Sequence, residues 1–357
     1  MRPVNDDPYF RATDEDISSF DLVNEKADRQ AHIADLIQTI KETADKMAAE
    51  GSTRGDLKIL SRTLRELRYA FKVFSPYRRK RKVTIFGSAR TRPEEPAYIQ
   101  AVHLGRVMAQ AGWLVVTGAA SGIMEAGHRG AGREASMGLN IMLPFEQSAN
   151  PIIAGDPKLV HMKYFFTRKL MFVKECDAVV CLPGGFGTLD EAMEVITLLQ
   201  TGKRDMIPVV LLDPPGGQYW PALLQFIEQH LLRAGMISPE DLYLFKLTDS
   251  YEAARDEVLQ FFRVYHSMRY VKQDLVLRLQ EPLHPLLLEA INREFADLLL
   301  EGEFVQRDAL PLERDETEIA HLPRLVFRFN RRNLGRLRLL IDAINRGSVE
   351  PPKRDAG

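Results

Sequence analysis

"AVVCLPGGFGTLDEAMEVITLLQ", residues 178–200, holds three local signals in succession. The unbroken apolar run from Ala178 to Leu182 reads as a strand covered on both faces, as in a parallel sheet. Pro183, Gly184 and Gly185 break the run. Beyond them Leu189, Ala192, Met193, Ile196 and Leu199 recur at helical spacing and predict an apolar helix face. Strand, glycine turn and helix form half of a βαβ unit. Thr188 and Glu191 also fit the T-x-x-E capping pattern, in which Thr188 caps the new helix and Glu191 reaches back to it. A carboxylate just past glycines that hold a ligand is equally placed to do chemistry, and on spacing alone both roles stay open.

The same texture extends outward from this stretch. "KVTIFGS", "WLVVTG", "LNIMLP", "IPVVLLD" and "LYLFKL" read as further strands, separated by helical segments such as "EPAYIQAVHLGRVMAQAG" and "FFTRKLMFVKEC". Six strands alternating with helices predict an α/β fold, a doubly wound Rossmann-like parallel sheet, over residues 81–265. Residues 1–80 read as a helical region. Ile33, Leu36, Ile37 and Ile40 recur at helical spacing, and Gly51 and Gly55 suggest the turn of a helical hairpin. The basic run "YRRKRK" that follows reads as a solvated linker, because no aromatic residues are interleaved with it. Residues 266–357 change to strand, helix, strand, strand, helix, which predicts a small α+β accessory unit with a polar tail. Its arginines, among them Arg324, Arg328, Arg336 and Arg338, read as solvated faces, the usual setting for Arg.

Composition limits the functional classes. In 357 residues, 48 basic side chains face 49 acidic ones, so no overall field recruits nucleic acid or an anionic membrane. No secretory apolar segment opens the sequence and no run of about 18 apolar residues occurs, which predicts a soluble, cytoplasmic protein. Cys176 and Cys181 lack the paired spacing of a zinc site and read as reduced, structural thiols. No His, Cys and Asp cluster has metal-ligand spacing, so no metal is expected.

Three βα junctions carry glycine: "FGSAR" at residues 86–90, "TGAASGIMEAG" at 117–127 and "PGGFGTLDE" at 183–191. Glycine lets the backbone approach an anion closely, and the following helix turns free N–H groups toward it. Phosphate is the natural guest. None of the three is a Walker loop, and G-x-G-x-x-G does not follow the first strand, which disfavours hydride transfer. Glu125 lies in a helix-opening turn, where an acid already suits the helix dipole, so a dipole role and a nucleotide contact both stay open. His128, on the same helix, reads as a satisfied or exposed histidine rather than a base.

"PGGFGTLDE" resembles the PGGxGTxxE signature of the Lonely Guy family of nucleotide phosphoribohydrolases. "FFTRKLMF" is similar to that family's Arg-Lys helix, and "TGAASGIMEAGHRGA" to its glycine loop, with Gly118-Ala119-Ala120 where three glycines are usual. The resemblance covers roughly residues 82–265. It implies hydrolysis of the N-glycosidic bond of a nucleoside 5′-monophosphate, of the AMP or cytokinin riboside type, to free base and ribose 5-phosphate. Carried over by position, Arg168 and Glu191 would be catalytic. Gly184, Gly185, Gly187 and Thr188 would hold the phosphate, with Gly87, Ser88, Gly118, Gly122, Glu125 and Lys169 near the nucleotide. The two methyls of Ala119 and Ala120 are expected to crowd the ligand or shift its preference. No cofactor is implied, and a homodimer or higher homo-oligomer is expected. Relatives that bind a nucleotide or a phosphorylated cofactor without turnover supply the alternative reading.

Overall fold

A computed structural model describes residues 28–142, 148–313 and 316–349. Two helices lead, α1 (Asp28–Ala49) and α2 (Arg54–Phe74). Then strands and helices alternate: β1 (Lys82–Phe86), α3 (Pro96–Gln110), β2 (Leu114–Thr117), α4 (Ile123–Ala131), β3 (Ser136–Ile141), β4 (Leu159–Met162) and α5 (Phe165–Glu175). The alternation continues through β5 (Ala178–Cys181), α6 (Phe186–Gln200), β6 (Val209–Leu212), α7 (Tyr219–Phe226), β7 (Lys246–Thr248) and α8 (Tyr251–Phe261). Last come β8 (Tyr265–Val271), β9 (Asp274–Leu279), α9 (Pro285–Glu294), β10 (Leu299–Arg307), β11 (Arg324–Phe329) and α10 (Leu334–Arg346).

Seven strands form one parallel sheet in the order β4-β3-β2-β1-β5-β6-β7, and four form an antiparallel sheet in the order β10-β11-β9-β8. The α/β fold is therefore the one expected, with one strand more than the six read from the sequence. The extra strand is β4, "LVHM", whose His161 is exposed and interrupts the apolar run. The stretch "LYLFKL" is only partly strand. Ser238 and Asp241 form a capping box around Pro239, which starts a short 3₁₀ helix over Pro239–Tyr243 and delays β7 to Lys246. No helix among the described residues is long and apolar enough to cross a membrane.

By internal packing the chain divides into two compact units. Among the described residues, one holds 28–177 with 313 and 316–320, the other 178–312 with 321–349. In the first unit β1 to β4 carry the core residues Val83, Ile85, Val115, Val116, Met137, Leu139 and Val160, all at most 1% exposed. Strands covered on both faces need this near-continuous Val, Ile and Leu content. Cys176 and Cys181 are both buried.

The second unit corrects the reading of the arginines as solvated. Arg324 is fully buried, in register with Arg278 on β9. Arg338 is buried as well, bonded to Asp342 at 3.0 Å and to Glu257, with its guanidinium over the Phe261 ring. Its acidic partner Glu257 lies 81 residues away along the chain, so sequence periodicity could not reveal the pairing.

Candidate functional site

Within the first unit, the loops after β1 and β2 are fitted to each other. A Cβ on Gly87 would lie 2.6 Å from the Ile123 side chain, and one on Gly122 would lie 2.3 Å from the Ser88 carbonyl oxygen. The Ile123 N–H donates to that same carbonyl at 2.9 Å, and the Ser121 hydroxyl donates to the Ala89 carbonyl at 2.9 Å. Gly122 also has a φ of 64°, which only glycine adopts without penalty. Gly87 and Gly122 thus serve the packing of loop on loop. Ser88 turns its hydroxyl to its own loop, accepting from the Arg90 N–H at 3.1 Å.

Arg168 stands beside the second loop. Its Nε donates to the Leu139 carbonyl at 2.8 Å, and its guanidinium lies 5.1 Å from the centre of the Phe172 ring. A Cβ on Gly118 would come within 2.2 Å of Arg168 Nη2 and 2.6 Å of Met124 Sδ. The structure therefore brings Gly118 and Arg168 together, and the missing side chain of one makes room for the other. Lys169, the next residue of α5, is half-buried. Glu125, in the first turn of α4, accepts a long bond of 3.4 Å from the Tyr98 hydroxyl. Burial first, and then the Glu125 charge, raise the Tyr98 phenol above its ordinary range.

Asn150, which has no clear signature in the sequence, holds the second loop in shape and contacts His128. The Asn150 amide donates to the Ala120 carbonyl at 3.1 Å, and its backbone N–H donates to the Ala119 carbonyl at 2.8 Å. His128 is fully buried, with Nε2 at 2.9 Å from the Met137 carbonyl and Nδ1 at 3.2 Å from the Asn150 amide. These partners fit a neutral ring that donates from Nε2 and accepts at Nδ1. Burial holds its pKa down at about 4, against which the Met137 and Asn150 bonds act weakly. His128 is thus a satisfied structural histidine.

Ala119, expected to crowd a ligand, does otherwise. Its φ is 58°, the left-handed conformation in which the family's usual glycine costs nothing. Its methyl is fully buried in a cluster with Ala149, Ile153 and Leu159. The methyl fills the core beneath the loop.

In the second unit, α6 starts earlier than the capping pattern predicts. Gly185 is the N-cap, without a side-chain bond, and Phe186 is the first helical residue. Thr188 is one turn inside, its N–H already donating to the Gly185 carbonyl at 3.0 Å. The capping-box expectation fails because Gly185 takes an extended backbone (φ −83°, ψ −163°) and ends the loop there. The helix therefore opens on glycine and exposed backbone. Gly185 and Gly187 are exposed, and a Cβ on either would meet nothing within 4 Å. Phe186 between them is 92% exposed. The first N–H groups of a helix have no intrahelical acceptor, and with the dipole they favour an anion.

The buried face of α6 consists of Thr188, Glu191, Ala192, Val195 and Leu199. Glu191 belongs to it at 8% exposed, whereas the sequence stripe placed this residue to one side. The Glu191 carboxylate thus lies largely buried, one turn from the exposed glycines that open the helix.

A further contact fixes this loop and has no sequence signature. The Tyr219 hydroxyl, at the start of α7, donates to the Gly184 carbonyl at 2.7 Å. Tyr219 is placed in turn by Asp213, whose carboxylate accepts from the Trp220 N–H at 2.9 Å. Burial pushes the Asp213 carboxyl above the usual range, while the Trp220 and Tyr219 N–H bonds oppose it. A tyrosine opening an apolar helix looks like any core aromatic until its hydroxyl is seen to reach another loop.

Residues 116–258 match the family described as "Possible lysine decarboxylase". The chain is 33% identical over 164 residues to a probable cytokinin riboside 5′-monophosphate phosphoribohydrolase of Oryza sativa subsp. japonica, covering 44% of this chain and 63% of that protein. It is 34% identical over 152 residues to a cytokinin riboside 5′-monophosphate phosphoribohydrolase of Arabidopsis thaliana, covering 41% and 66%. The chain thus spans less than two thirds of the length of these curated relatives. Among solved structures, a molybdenum cofactor binding protein from Rippkaea orientalis aligns at 21% identity and a TM-score of 0.35, covering 50% of this chain and 94% of that one.

Proposed function

We propose that this chain, which resembles the cytokinin riboside 5′-monophosphate phosphoribohydrolases over part of its length, hydrolyses the N-glycosidic bond of a nucleoside 5′-monophosphate. The observation that carries the reading is the start of α6. There the uncrowded Gly185 and Gly187 leave the helix N-terminus open to a phosphate, and Glu191 lies buried one turn on. AMP and cytokinin riboside monophosphates are the substrates to try first. Bound phosphate supplies remote binding energy that positions the ribose.

Cleaving the glycosidic bond builds oxocarbenium character on the sugar, as in glycoside hydrolysis. In this reading the Glu191 carboxylate stabilises that charge and takes a proton from the attacking water. Arg168 supplies a fixed planar cation for the substrate or the departing base, already oriented by the Leu139 carbonyl and the Phe172 ring. The products are free base and ribose 5-phosphate. The test is chromatographic analysis of products over a panel of nucleoside monophosphates, with Glu191→Gln as control. Base release by the wild type, reduced by about 10²-fold or more in a folded Glu191→Gln protein, is expected. Tight nucleotide binding with no released base from any member of the panel would replace hydrolysis with a binding role.

A further inference from the structure

Two helices at the start of the described chain present apolar stripes that no described element packs along. On α1, Ile33, Leu36, Ile37 and Ile40 follow one face at helical spacing, and each is at least 46% exposed. On α2, Leu57, Leu60 and Leu64 lie on one seam, with Leu64 53% exposed, while Phe71 further along lies under the Lys174 ammonium at 5.3 Å. The opposite side of α2 is occupied. It buries Glu66, Ala70 and Phe74, and the Glu66 carboxylate accepts from the Lys163 N–H at 2.9 Å and the Thr167 hydroxyl at 2.8 Å, which ties α2 to the start of α5.

The helices are joined by a short turn at residues 50–53, with Gly51 at φ 77°. Yet they do not pack along one another, and no described element packs along α1. Helices in proteins ordinarily gain their stability by burying an apolar face. The seven side chains, at roughly 100 Å² of exposed surface apiece, total on the order of 700 Å² over the two stripes, close to one partner's share of a standard interface.

Charge selects the pairing. The α2 segment has six basic residues (Arg54, Lys58, Arg62, Arg65, Arg68, Lys72) and two acidic ones (Asp56, Glu66), a net +4. The α1 segment has four acidic residues (Asp28, Asp35, Glu42, Asp45) and three basic ones (Arg29, Lys41, Lys46), a net −1. Packing α2 against another α2 would set +4 against +4, whereas α1 on α2 sets −1 against +4. We propose that α1 of one copy packs along α2 of a second copy, and reciprocally, so that these helices form a self-association face. A two-fold exchange of this kind is self-complementary and closes without leaving a free stripe.

Sedimentation equilibrium of the full chain tests the proposal. Wild type should sediment as a multiple of the 40.6 kDa chain, and Leu60→Glu/Leu64→Glu at half the wild-type mass with unchanged helical circular dichroism. Equal masses for a folded variant and wild type would overturn it. A second measurement does not depend on how the double variant folds. The single variants Ile37→Cys and Leu64→Cys are mixed and treated with a bifunctional maleimide, to which the buried Cys176 and Cys181 are inaccessible. A covalent dimer in the mixture in excess of that from either variant alone is expected. A cross-link confined within one chain of the Ile37→Cys/Leu64→Cys double variant would show that α1 folds back on its own α2, and would also overturn it.

Discussion

At position 118 a side chain is missing because Arg168 occupies the space it would need. The clash of a Gly118→Ala methyl is with the end of the long Arg168 side chain and with a methionine sulfur, not with backbone, so the fold yields at low cost while the guanidinium is pushed from its place. Stability should fall by about 1 kcal/mol or less. Turnover, in contrast, should drop by about 10²-fold, the scale set by an ångström of misplacement in a reacting constellation. Thermal melting and kcat/KM measured on one preparation separate the two. His128 gives a second residue-scale prediction. Its folded pKa of about 4 is below the ordinary 6.5, so the unfolded chain takes up the proton first as pH falls. The stability it contributes is complete above pH 6.5 and is lost as pH falls from 6.5 toward 4, by about 3 kcal/mol in all. Urea unfolding across that window should show the loss, and His128→Asn, itself destabilised, should show a shallower dependence on pH.

At the scale of elements, the glycine turn before α6 depends on a neighbour that the sequence does not announce. The Tyr219 hydroxyl braces the Gly184 carbonyl from the start of α7, and Asp213 fixes that start. Tyr219→Phe removes one hydrogen bond, about 1 kcal/mol, and should raise KM for the nucleotide roughly fivefold with kcat unchanged. An effect confined to kcat would place Tyr219 in the chemistry rather than in holding the loop. Element identity was mostly legible beforehand, since long apolar runs and helical periodicity are local properties. The exceptions have local causes too. His161 obscured β4, a Ser-Pro start turned part of "LYLFKL" into a 3₁₀ helix, and an extended Gly185 began α6 before Thr188.

At the scale of the molecule, phosphate binding and turnover are separable through linkage. A ligand that binds only the folded chain stabilises it by about 2.7 kcal/mol at a concentration of one hundred times its Kd. Ribose 5-phosphate should therefore raise the melting temperature of wild type by several degrees, and AMP should do the same for Glu191→Gln, which keeps the glycine turn intact. Melting curves unmoved by either ligand would remove phosphate binding from the account. The candidate site was legible in its parts, because "PGGFGTLDE", "FFTRKLMF" and "TGAASGIMEAG" are short contiguous strings. What each residue does within those strings was legible only in places.

Most of the strands and helices, the three glycine-bearing βα turns and the residues that carry the family resemblance were determined by the sequence itself, since each rests on propensity and spacing within a few neighbours. Tertiary structure decided that Glu191 faces inward, that Gly118 yields its place to Arg168 and that the Ala119 methyl fills the core. It also paired the buried Arg338 with Glu257. Burial and charge pairing depend on groups brought together from distant parts of the chain, and no local pattern encodes which groups those will be.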